Sequence, residues 1–212
     1  MERNKRIAIK NTIKEHIINN SKEYIIVLLI FVIGIFLGVF FVNNIQENQR
    51  TEISTYLNNF IDKLKDTEKL DNVELAKTSI NQNVILAVTI WFFGTTVIGI
   101  PIVFGIVLYR GFCLGYTIAV CISMMGLSKG IIFVLISLVL QNIIFIPAIL
   151  ALSVSGFKLY KSIMKDKRKE NIKLEIVRHT VFSVIMMIFL IISSLIEIFI
   201  STNILKCISK YF

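Results

Sequence analysis

Apolar residues in this chain gather into runs of about twenty, separated by shorter polar or charged stretches. A helix rising 1.5 Å per residue crosses roughly 30 Å of hydrocarbon in a run of that length, and it satisfies its own backbone groups there. The pattern predicts a first span over 24–42. A second apolar run covers 84–109, with Trp91 near its start and Arg110 directly after it. Pro101 lies inside that run and removes a backbone donor, so a kink or break is expected there. A short third span is expected at 111–127, closed by Ser128-Lys129. The fourth covers 130–157, with Gln141-Asn142 near its middle and Pro147 soon after, and the fifth covers 180–200. No strand-length alternation of apolar and polar residues occurs, which excludes a transmembrane β-barrel. The fold class predicted is an all-α integral membrane protein. It is a bundle of about five transmembrane helices with a short extracytoplasmic amphipathic helix.

The polar stretches divide the chain further. Residues 1–23 are basic (Arg3, Lys5, Arg6, Lys10, Lys14, Lys22), and Ile7, Ile13 and Ile17 give them a loose helical spacing. A basic flank before an apolar run also describes a signal peptide. Here the run is long and Asn43-Asn44 follows it in place of a small-residue cleavage site, so it reads as an uncleaved anchor. Residues 43–83 carry seven acids against five bases. Within them Ile53, Tyr56, Leu57, Phe60, Ile61 and Leu64 recur at helical spacing, a stripe that needs a membrane surface, the bundle or a partner to cover it. The three-span core 84–157 is followed by a basic loop, 158–179, and by the last span with its tail, 180–212. With the N-terminus inside, fifteen Arg and Lys fall on inner segments and eight on outer ones. That asymmetry puts 1–23 and 158–179 in the cytoplasm and 43–83 and the C-terminal tail outside.

Composition agrees with this picture: 55% of the 212 residues are hydrophobic and the mean hydropathy is +0.76. Two prolines and ten glycines leave room for long helices. The net charge of +9 would suit nucleic acid, but the cations bracket apolar runs, a topology and headgroup signal. Membrane lipid is therefore the expected contact and nucleic acid is not. Cys113, Cys121 and Cys207 form neither a CxxC pair nor a ligand cluster, and His16 and His179 have charged neighbours in sequence. No metal or other cofactor is expected.

Few polar groups interrupt the spans. Gln141 and Asn142 present adjacent carboxamides in hydrocarbon. One reading makes them part of a broken-helix substrate or ion site, with Pro147 as the breaker. The favoured reading is interhelical hydrogen bonding. Glu197 is the only acid within a span, near its outer end, where solvation is cheap. A proton relay is the sharper and less favoured reading. Arg110 reads as a snorkelling anchor. No catalytic triad, GxSxG, HExxH or GxxxxGK[ST] pattern is present, so an enzyme is not expected. Gly34/Gly38, Gly111/Gly115 and Gly126/Gly130 sit at the four-residue spacing that lets helices approach closely. Intrachain packing is the favoured use, and a homo-oligomer contact stays open beside it.

Three segments carry a resemblance. They are Trp91-Phe92-Phe93-Gly94 through Val97-Ile98-Gly99-Ile100-Pro101, Arg110-Gly111-Phe112-Cys113-Leu114-Gly115-Tyr116-Thr117, and Leu140-Gln141-Asn142-Ile143-Ile144-Phe145-Ile146-Pro147-Ala148. Together with the order of the other features they resemble the stage II sporulation protein M family over nearly the whole chain. The wider family often carries a His-Gly and a Glu before the Pro-Ala, where Gln141-Asn142 and Phe145 stand here. The resemblance implies a non-enzymatic membrane scaffold of endospore formation. It implies action with stage II sporulation proteins D and P, which cut septal peptidoglycan as the mother-cell membrane engulfs the forespore. It also implies location in the septal or engulfing membrane of the mother cell. A permease-like transport component using Gln141 and Asn142 is the alternative.

Overall fold

A computed structural model describes residues 20–65, 72–135, 138, 140–165 and 172–198. The amphipathic stretch expected within 1–23 lies almost wholly outside these residues, as does the C-terminal tail. Seven helices follow in order among them: α1 (Ser21–Asn43), α2 (Glu47–Lys65), α3 (Asn72–Gly94), α4 (Ile100–Met125), α5 (Leu127–Val134), α6 (Leu140–Lys165) and α7 (Ile172–Ile196). Four of them, α1, α4, α6 and α7, are long and apolar enough to cross a membrane. The fifth long helix, α3, is apolar only in its second half. Its first half carries Lys77, Ser79, Asn81, Gln82 and Asn83.

The second and third predicted spans are redivided. A turn at 95–99 ends α3, and everything from Ile100 to Met125 is one helix. Pro101 starts this helix without kinking it, because in a first turn its missing N–H leaves no bond unmade. The turn was hidden in the pattern because Val97 and Ile98 are apolar, although Ile98 is largely exposed. Arg110 consequently lies well inside α4 and is not at a membrane boundary. Pro147 likewise sits within α6, which continues past it. Gly126 separates α4 from α5 with φ +79°, a left-handed conformation that only glycine adopts without strain.

Contacts give the helix directions. A Cβ on Gly34 would meet backbone of Leu108 and Phe112, and one on Gly38 that of Phe112 and Tyr116, so α1 and α4 run parallel. Conversely, Gly111 faces the Phe31 carbonyl and Gly115 the Ile35 carbonyl. The two glycine pairs interlock within one chain, backbone on backbone, where lipid supplies no hydrophobic drive and close packing must act instead. Gly130 packs on Cys121 and Ile122, again inside the chain. Phe104 meets Phe157 edge to face and Arg110 lies over Phe145, so α6 runs against α4. Ser155 meets His179 and Gln141 meets Glu197, so α7 runs against α6. Trp91 meets Thr180 and Ser79 meets Glu197, so α3 runs against α7. Asn20 and Ile198 therefore lie at opposite ends of a five-helix bundle. Lys161 Nζ reaches Glu23 Oε1 at 2.8 Å and fixes the end of α6 beside the start of α1.

The core joins Val27 and Phe31 to Ile90, Val103, Val107, Phe145, Ile149, Leu152 and Leu190. Outside it, large apolar side chains face outward, Phe36 and Phe40 among them. A helix apolar on every side belongs in lipid. Among the described residues the helix α2 makes few close contacts with the other helices. Its stripe is not one uniform face: Leu57 is 9% exposed, Ile53 is half-buried and Tyr56 is 77% exposed. Positions 56 and 57 differ by 100° around a helix, so the buried edge takes Leu57 and leaves Tyr56 on the rim. The side chains of Phe60, Ile61 and Leu64 lie outside the described residues.

Candidate functional site

Two polar nodes hold α3, α6 and α7 together, one toward each end of the bundle. At the end shared by the beginning of α3 and the end of α7, Glu197 Oε2 accepts two hydrogen bonds. Ser79 Oγ donates one at 2.7 Å and Gln141 Nε2 donates the other at 2.8 Å. Ser193 Oγ donates to the backbone carbonyl of Gln141 at 3.1 Å. One turn further along α3, Asn83 Nδ2 donates to Ser194 Oγ at 2.7 Å and to the Leu190 carbonyl at 3.3 Å. Asn83, Ser193 and Ser194 are buried, so these bonds are made away from water. The polar half of α3 is thus accommodated by α7 and α6.

The candidates from sequence separate accordingly. Gln141 and Glu197, 56 residues apart, come together. Asn142 does not join them: its Nδ2 donates to the Leu138 carbonyl in the preceding turn of its own helix, at 2.7 Å. Pro147 is exposed, six residues along α6 from Gln141. Ser79, Asn83, Ser193 and Ser194 were missed. The available signal was the i,i+4 spacing of Ser79 with Asn83, and of Ser193 with Glu197.

At the other end lies His179, assigned above to the basic loop. It is instead 2% exposed and enclosed within α7. Its Nδ1 is 2.9 Å from Ser155 Oγ and its Nε2 is 3.4 Å from the Trp91 carbonyl. A carbonyl only accepts, so Nε2 carries the proton and the Ser155 hydroxyl donates to Nδ1. Trp91 Nε1 donates to Thr180 Oγ1 at 3.2 Å. The backbones of α3 and α6 touch beside the ring, where a Cβ on Gly156 would meet Gly94 Cα at 3.0 Å. One on Gly94 would meet His179 Nε2 at 3.0 Å.

Between the nodes, Arg110 places its guanidinium 5.3 Å from the centre of the Phe145 ring, a cation–π contact in the bundle and not a snorkelling anchor. Cys121 packs with Phe133 and Val134 as an ordinary small apolar side chain, and Cys113 is half-buried. Among the described residues no group of three or more His, Cys, Asp or Glu is placed to hold a metal ion. Both nodes consist of matched donors and acceptors on three different helices, the arrangement that fixes helix register.

This is an all-α polytopic membrane protein whose inward polar side chains tie its helices to one another. A family model described as Stage II sporulation protein M matches residues 27–202. The chain belongs to the stage II sporulation protein M family, which places its role in sporulation. No curated protein and no solved structure matches it. The segments that carried the resemblance are packing positions here. Trp91 and Gly94 enclose His179, Gly111 and Gly115 seat α1, and Gln141 holds Glu197.

Proposed function

We propose that the chain is a non-enzymatic scaffold in the septal or engulfing membrane of the mother cell. It gathers septal peptidoglycan hydrolases of the kind represented by stage II sporulation proteins D and P, so that the septum thins and the forespore is engulfed. The family membership supports a sporulation role, and the observation that favours a scaffold is α2. Among the described residues this amphipathic helix makes few close contacts with the other helices and leaves Tyr56 open to contact. An exposed aromatic beside an apolar stripe on an otherwise charged helix is suited to docking. The bonds that Ser79, Asn83, Gln141, Ser193 and Glu197 make from helix to helix support the same reading. Replacing Tyr56 and Phe60 with serine is expected to release the hydrolases from the septum while this protein stays in the membrane. Normal hydrolase localisation in that variant would refute α2 as the docking element.

A second reading, a permease-like transport component, draws on Gln141, whose side chain donates to the Glu197 carboxylate and whose backbone carbonyl accepts from the Ser193 hydroxyl. The double substitution Gln141→Leu with Asn142→Ala separates the two. A scaffold predicts reduced membrane abundance with engulfment falling in proportion. Normal abundance with no engulfment would favour the transport reading.

A further inference from the structure

On the outward side of α3 and α7 a groove of about 240 Å³ runs between Ala87, Val88 and Trp91 on one wall and Thr180, Val184 and Met187 on the other. Val88 and Val184 are 46% and 48% exposed, so the groove opens on the surface that faces lipid. Every donor in or beside it is already committed. Trp91 Nε1 donates to Thr180 Oγ1, the Thr180 hydroxyl to the Ile176 carbonyl at 2.9 Å, and the Ser183 hydroxyl to the His179 carbonyl at 2.7 Å. A polar ligand would find no donor here, whereas hydrocarbon loses nothing. The volume is below the roughly 300 Å³ at which small-molecule sites begin, and suits a length of extended chain.

One end of the groove is basic. Lys173 precedes Thr180 by seven residues, two helical turns, so it shares the face of Thr180 about 10 Å further along α7. It is exposed, at the end of the bundle where Lys161 meets Glu23. Arg178, by contrast, pairs with Glu175 at 2.9 Å. By sequence, the segment 158–178 that leads into α7 holds eight Arg and Lys against three acids, an excess that favours an anion. Apolar wall and cation stand in the order and at the separation of an acyl chain and its phosphate. We propose that the groove between α3 and α7 binds one anionic glycerophospholipid, with an acyl chain along Val88, Trp91 and Val184 and the phosphate at Lys173. Basic pockets at the edge of membrane helices are suited to such headgroups.

Trp91 is the only tryptophan in the chain and forms part of the wall, so its fluorescence reports contact with this groove alone. The full-length protein is reconstituted in phosphatidylcholine vesicles containing rising fractions of phosphatidylglycerol, with bromine on the acyl chains of one lipid or the other. Brominated phosphatidylglycerol is expected to quench Trp91 with a relative affinity about fivefold that of brominated phosphatidylcholine, the size expected for one lysine beside an anionic headgroup. The exposed substitution Lys173→Gln should bring the two lipids level. Filling the groove with Val184→Phe should lower quenching by both. Equal quenching of the wild type by the two lipids would mean unselective boundary contact and overturn the proposal. A preference that survives Lys173→Gln would overturn the assigned headgroup contact, and unchanged quenching in Val184→Phe the assigned chain position.

Discussion

Glu197 receives hydrogen bonds from Ser79 on α3 and Gln141 on α6, and its substitution distinguishes charge from geometry. Glutamine at 197 keeps the shape and an accepting oxygen, whereas leucine removes both bonds. Interhelical bonds of this kind average about 0.6 kcal/mol each, so Glu197→Leu should destabilise the protein by about 1 kcal/mol. Glu197→Gln should change little. Thermal unfolding in detergent, with engulfment scored in parallel, checks the pair. A Glu197→Gln protein of normal stability that fails to support engulfment would show that the charge itself matters, and would revive a proton-relay role. Gln141 and Glu197 were legible as candidates because a carboxamide and a carboxylate are rare in apolar runs. Their partnership was not, since 56 residues separate them and nothing local sets the distance. Asn142 looked equivalent to Gln141, but it sits 100° further round α6 and turns back on its own helix. His179 was read as part of a polar loop because Arg178 precedes it. The fold buries it because Ser155 and the Trp91 carbonyl offer both ring nitrogens a partner.

Among the elements, α1 and α4 make the closest approach, and glycine decides it. A methyl group on Gly111 would collide with the Phe31 carbonyl, which is backbone and cannot swing away. Six residues earlier on the same helix, Gly105 has open space where a Cβ would stand. Gly111→Ala is therefore expected to cost about 1–3 kcal/mol, as overpacking does, and to lower membrane abundance. Gly105→Ala should be neutral or slightly stabilising, since alanine is the better helix former. Immunoblots of the two variants test this directly, and equal abundance would contradict the parallel α1–α4 seam. The four-residue spacing made these glycines visible as packing positions. Which helix each would meet, and that the contact falls within the chain, depended on direction and register. The division of the run 84–109 was lost for a different reason. Hydropathy reports where residues prefer to be, and a short turn built of Thr, Val, Ile and Gly is as apolar as the helices around it. Pro101 marked the place, but its meaning changed from a kink in one helix to the start of the next.

For the whole molecule, the alternating directions of α1, α3, α4, α6 and α7 place the two ends of the described chain on opposite faces. The Lys161–Glu23 contact sets the end of α6 beside the start of α1. With the cytoplasm on that face, single cysteines at Asn58 and Ser209 should react with an impermeant reagent in intact cells, in a background lacking Cys113, Cys121 and Cys207. One at Lys167 should not. Labelling at Lys167 would invert the orientation. This expectation survives the relocation of Arg110 into α4, since one inner cation fewer still leaves a clear excess. Helical class, membrane residence and the amphipathic α2 were determined by sequence alone, because each depends on the period and length of apolar runs and on backbone groups that must be satisfied within a bilayer. The pairing of α1 with α4, the polar nodes at Glu197 and His179, and the groove beside Trp91 were decided only by tertiary structure. Each depends on how helices far apart in sequence rotate and slide against one another. In lipid that choice is made by many small packing and hydrogen-bonding differences, which no single residue announces.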